Sequence, residues 1–190
     1  MDNSTNSNER KSNHIEIRTV SPVDESTKRM IVDFLSEQFS AAMVGAPTFD
    51  EAKKSAEAKQ IFMERKNYTT VLGNAKQVID DLLTHCDKAR SFVDFAMENG
   101  KVAGICITGI TKENQVLSEF VGVGWNYQKQ GIGTKLVEHR HKIISSPPYN
   151  ISQYEVKLAV DSKRIFEKTG IDLQPVAGEL KTFIAKIKRN

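Results

Sequence analysis

The spacing of apolar positions along the chain changes period several times, and each change marks an element. In residues 14–20 Ile15 and Ile17 alternate with polar neighbours, the pattern of a strand with one buried face. Ile31, Phe34, Leu35, Phe39, Ala42 and Met43 then recur at helical spacing. Ser21-Pro22-Val23-Asp24 precedes them as an N-cap, a proline at the first helical position and an acid at the third, so a first helix reaches about Val44. Gly45-Ala46-Pro47 breaks it. Thr48 and Glu51 form a capping box that opens a second helix to about Arg65. Val78, Ile79, Leu82, Leu83 and Cys86 share one face of a third.

Strands follow. Residues 91–97 and 101–110 are joined by Glu98-Asn99-Gly100, with the Asn-Gly pair that a tight hairpin favours. Residues 115–123 make the next strand and 134–144 a helix with Leu136, Val137 and Ile143 inward; Pro147-Pro148 ends that segment. Residues 154–160 read as a strand, and 161–169 as a short helix stopped by Gly170 in the left-handed region. Residues 180–188 close the chain as a strand, and a short extra one fits near 173–176. The order is β-α-α-α-β-β-β-α-β-α-β.

With 190 residues, 39% of them hydrophobic and 27% charged, residues 14–190 fit one domain preceded by a polar, disordered tail at 1–13. No apolar run approaches the ~18 residues of a membrane span, and the tail has no apolar segment of a secretory signal. A cytoplasmic setting is the expectation, with no membrane partner. The net charge of +3 is too small to argue for nucleic acid. The basic residues of 135–142 read as a solvated face. Cys86 and Cys106 read as small buried hydrophobes, and no Cys/His spacing suits a metal. His14, His85, His139 and His141 are read as structural or surface groups.

The chemistry concentrates at residues 127–136, YQKQGIGTKL. Gln128, Gly131 and Gly133 form Q-x-x-G-x-G between an apolar strand and an amphipathic helix. A strand turning through glycines into a helix start aims free backbone N–H groups at one point, where the helix dipole favours an anion. The loop reads as a diphosphate site. Thr134 separates Gly133 from Lys135, so a P-loop is out of register, and Leu136 stands where a dinucleotide fingerprint needs a small residue. What remains resembles the acetyl-CoA pyrophosphate loop, [QR]-x-x-G-x-[GA], of the GNAT superfamily of N-acetyltransferases. A second block, DSKRIFEKTGI at 161–171, is similar to that family's [YFM]-E-K-x-G-[FI] motif. The pattern with Ser162, Arg164, Glu167, Lys168 and Gly170 is nearest to the arylalkylamine N-acetyltransferase-like group of insects and nematodes.

The resemblance implies an α/β fold with a mixed sheet flanked by helices, splayed between the strand before the loop and the strand after the following helix. Acetyl-CoA, as co-substrate, would lie in that splay, held by Gln128, Lys129, Gln130, Gly131, Ile132, Gly133 and Thr134, with no metal. In this family a backbone N–H on the preceding strand polarises the thioester carbonyl. Val123 holds that position, and its neighbours Gly122 and Gly124 suggest a bulge that frees the N–H. Phe166 lines the cofactor site where many members carry a tyrosine that protonates the thiolate. Ser162, one helical turn earlier, is then the candidate acid. Ala46-Pro47 replaces the subgroup's Glu-Pro, whose glutamate is the base; Glu119, four residues before Val123 on the same strand face, is the candidate here. The acceptor expected is a small-molecule amine, with an arylalkylamine the first candidate and a homodimer left open. A peptide N-acetyltransferase and a degenerate acyl-CoA sensor are the alternatives.

Overall fold

The computed structural model describes residues 14–43, 79–80, 84–124, 127, 129–157, 160–179 and 181–187. The second predicted helix lies outside them, as does most of the third. The first strand is β1 (Ile15–Val20), followed by α1 (Glu25–Met43). Three strands come next: β2 (Phe92–Glu98), β3 (Lys101–Ile110) and β4 (Val116–Val123). Then come α2 (Ile132–Ser145), β5 (Gln153–Lys157), α3 (Val160–Lys168), β6 (Asp172–Pro175) and β7 (Thr182–Lys186).

The cap of α1 differs from the expectation. Asp24, not Ser21, holds the helix start: its Oδ1 accepts from the Thr27 N–H and the Thr27 hydroxyl, both at 2.7 Å. Ser21 instead donates to the Ser91 carbonyl at 2.9 Å. The β2–β3 hairpin follows its sequence, with Asn99 and Gly100 both at positive φ (51° and 78°), as a two-residue turn matched to strand twist requires. The strand expected at 154–160 is shorter, because α3 already begins at Val160.

Two ladders result, β1-β2-β3-β4 and β5-β7-β6, and every pairing within them is antiparallel. β4 lies against β5, yet the two belong to different ladders. That divide is the splay. One face of the larger sheet packs Ile105 and Ile107 against Ile31, Phe34 and Leu35 of α1. Its other face sets Ala96, Ala103 and Cys106 against Ile132 and Leu136 of α2. With both faces covered, β3 is buried from Ala103 to Ile110 without alternation. A third cluster joins Val137 and Ile144 of α2, Phe166 of α3 and Tyr154, Val156 and Ala185 of the smaller sheet.

Candidate active site

β4 is the edge of its ladder on the side where β5 lies. Val123 pairs opposite Gly104, Val121 opposite Cys106 and Glu119 opposite Thr108. The Gly124 N–H donates to the Ala103 carbonyl at 2.8 Å, which makes Val123–Gly104 a non-hydrogen-bonded pair in the antiparallel alternation. The N–H and C=O groups of Val123, Val121 and Glu119 therefore point away from β3, toward the splay. The bulge expected around Gly122 is absent from this stretch: the register runs unbroken from Glu119 to Val123 and shifts only at Gly109/Ile110. Alternation alone frees the N–H groups, and it frees that of Val121 as well as that of Val123. The period of the strand could have shown this, since every second residue of an edge strand faces outward.

Beyond β4 the chain tightens. The Tyr127 N–H donates to the Gly124 carbonyl at 2.8 Å, and Lys129 takes φ 62°. Gly131 is the N-cap of α2 in the left-handed conformation, φ 78° and ψ 5°, with no side-chain cap on the helix and no acid in its first turn. The Lys135 N–H closes that turn on the Gly131 carbonyl at 3.0 Å. The N–H groups of Ile132, Gly133 and Thr134 precede the first such bond and are free to meet an anion. Lys129, Gln130 and Lys135 are exposed around the opening. Gln128 lies outside the described residues.

The two glycines do different work. A Cβ on Gly131 would meet nothing within 4 Å, so this position is open, and its positive φ is what requires glycine. A Cβ on Gly133 would stand 2.9 Å from Ile165 Cδ1 and 3.3 Å from Val123 Cγ2. Gly133 is thus a packing glycine that seats α2 against α3 and β4. Its side-chain face turns to the core, not to the anion.

Residues 57–143, ending inside α2, match the sequence model of the Acetyltransferase (GNAT) family. Over that stretch the chain is similar to the GNAT family. Its fold is that of solved GNAT structures. The PaiA N-acetyltransferase of Thermoplasma acidophilum, crystallised with coenzyme A, superposes with TM-score 0.52 at 15% identity, over 93% of this chain and 99% of that one. A GNAT-family acetyltransferase of Staphylococcus aureus Mu50 gives 0.52 at 13%, over 91% and 100%. The ribosomal-protein-S5-alanine acetyltransferase of Vibrio fischeri gives 0.50 at 13%, over 91% of each. No curated protein matches by sequence.

In this fold the backbone of Ser162 lies in the first turn of α3, one turn before Phe166. Phe166 does not line an open surface. It is 1% exposed and buried in the cluster between α2 and the smaller sheet, where apolar area is best removed from water. The Arg140 guanidinium lies over its ring at 5.2 Å, and the His141 ring meets its edge at 5.7 Å. The α2 segment read as a solvated face is corrected at the same place, because Arg140 has no exposure at all. Leu136, Arg140 and Ile144 are all buried, one helical turn apart; this spacing was the available signal, outweighed by the basic composition.

Arg140 Nη2 and Tyr154 Oη share a short hydrogen bond, and both approach His141 Nε2, at 2.8 and 2.7 Å. Arginine only donates, so Nε2 of His141 accepts and its proton resides on Nδ1. Burial, reinforced by the Arg140 charge, pushes the His141 pKa down to about 2, so the imidazole is neutral. Further along the same layer Asp94 is fully buried and accepts from the Thr19 hydroxyl at 2.6 Å, with His139 Nε2 3.7 Å away. Burial raises the Asp94 pKa against the opposing pull of the Thr19 bond, His139 and Arg140. Cys106 is buried as expected, whereas Cys86 is only half-buried.

Proposed function

We propose that this protein transfers the acetyl group of acetyl-CoA to the primary amine of a small acceptor, with an arylalkylamine as the acceptor class. The observation that carries the reading is the start of α2: a helix without side-chain cap or acid, entered through left-handed Gly131, at the end of an edge strand whose N–H groups face the splay. Such a helix start suits the pyrophosphate, with Lys129 and Gln130 beside it. The outward N–H groups of β4 suit the thioester arm and its carbonyl.

Acetyl transfer also needs a base and an acid. Strand rise puts Glu119 about 7 Å from Val121 but about 13 Å from Val123. A carboxylate that takes the ammonium proton directly or through one water therefore serves a carbonyl held at Val121. The neutral amine attacks that carbonyl, the C–S bond breaks, and the Ser162 hydroxyl passes its proton to the thiolate while taking up the proton that the new amide nitrogen sheds. The arylalkylamine class rests on the Ser162-containing block. The test is acetyl-CoA-dependent release of free thiol across a panel of arylalkylamines, aliphatic amines and N-terminal peptides. Turnover confined to the arylalkylamines is expected. Binding of acetyl-CoA without thiol release from any of them would contradict the transferase reading and leave that of a sensor.

A further inference from the structure

Arg140 is costly where it stands. A fully buried guanidinium gives up its hydration, and packed apolar side chains at such sites are often as stable or more so. What the cation adds here is reach. Its Nη2 bonds Tyr154 Oη on β5, its Nη1 lies 3.7 Å from Cys106 Sγ on β3, and its plane covers the Phe166 ring of α3. Cys106 is the residue opposite Val121 in the ladder. One side chain on the helix that begins at the pyrophosphate loop thus touches the strand behind β4, the far lip of the splay and the helix that carries Ser162. The planar fork of arginine can hold several partners at fixed angles, which methionine and lysine cannot. His141 and Tyr154 complete the network, and Asp94 is the buried acid that feels its charge.

We propose that Arg140 is a positioning residue for acetyl transfer, its buried guanidinium setting the separation of β4 and β5 across the splay. The inference rests on the acetyl-CoA reading above. Arg140→Met fills similar volume without the fork, Arg140→Lys keeps only the charge, and Tyr154→Phe removes only the bridging hydroxyl. Thermal unfolding, acetyl-CoA affinity and steady-state kinetics are measured on each full-length protein. Arg140→Met is expected to melt near wild type, yet to bind acetyl-CoA about tenfold more weakly and to lose about 10² in kcat/KM, the scale of an ångström misplacement. Tyr154→Phe should move the same way by less, Arg140→Lys should restore little, and the Met/Phe double variant should be no worse than Arg140→Met alone. Affinity and kcat/KM within twofold of wild type in Arg140→Met and Tyr154→Phe would overturn the proposal. So would a loss of melting temperature with unchanged kinetics per folded molecule, the mark of a purely structural residue. Should Arg140→Met fail to fold, Tyr154→Phe decides. Wild type that does not bind acetyl-CoA removes the transferase reading itself and this inference with it, whereas active wild type with unaltered variants removes the inference alone.

Discussion

A Cβ placed on Gly133 stands 2.9 Å from Ile165 Cδ1, the flexible end of a side chain, and 3.3 Å from Val123. Moving Ile165 Cδ1 aside is cheap and alanine gains about 0.5–1 kcal/mol over glycine inside a helix, so Gly133→Ala is expected to be near neutral. Gly133→Val, with branches that also meet Val123, should lower stability by about 1–3 kcal/mol through overpacking, read from urea unfolding; unaltered stability in Gly133→Val would contradict the packing role. His141 makes a second prediction at this scale. Its folded pKa of about 2 lies below the unfolded value of 6.5. The unfolded chain thus binds more protons between those values, and the stability from neutral His141, fully present above pH 6.5, is lost as pH falls. Asp94 works oppositely: its folded pKa is raised, so its contribution is present below 3.8 and declines as pH rises through the folded value. Unfolding free energies from urea titrations between pH 7 and 5 should fall more steeply in wild type than in His141→Gln, the difference approaching about 1.4 kcal/mol per pH unit well below 6.5. Parallel slopes would contradict a buried neutral imidazole. Periodicity puts Arg140 on the buried stripe of α2 with Leu136 and Ile144, but it does not tell that a second layer also covers the neighbouring His141.

Elements were more legible. Among the described residues their order, the Asn99-Gly100 hairpin, the short strand at β6 and the glycine stop at Gly170 all follow from local spacing and turn chemistry. The bulge inferred from Gly122 and Gly124 did not, because an edge strand needs no irregularity to present N–H groups outward. The α1 cap was placed three residues early: both Ser21 and Asp24 can cap, and only the fold shows Ser21 engaged with Ser91. Asp24→Ala should accordingly lower the melting temperature by the loss of a cap, and Ser21→Ala should leave α1 capped; equal losses by calorimetry would contradict the assignment. For α3, Ser162→Ala is compared with Asp161→Ala. Loss of a proton donor costs about 10²–10⁴ in rate, so Ser162→Ala should lower kcat with melting temperature and acetyl-CoA affinity near normal. Wild-type kcat would leave the thiolate to solvent.

At the scale of the whole molecule, the division into two ladders could not be read from periodicity, which gives each strand a face but not a partner. It came into view only through the resemblance carried by the two motifs, and the fold bears it out as β4 and β5 in separate ladders. Everything proposed for the chemistry depends on that splay being an acetyl-CoA site opened at Gly131. Thermal unfolding with and without acetyl-CoA, in wild type and Gly131→Val, tests it most directly. The variant strains a left-handed backbone and places a branched side chain where the anion must approach. At ligand a hundredfold above Kd, wild type should gain about 5–10 °C while the variant, still folded, gains little. Equal shifts in the two proteins, or none in wild type, would contradict the account.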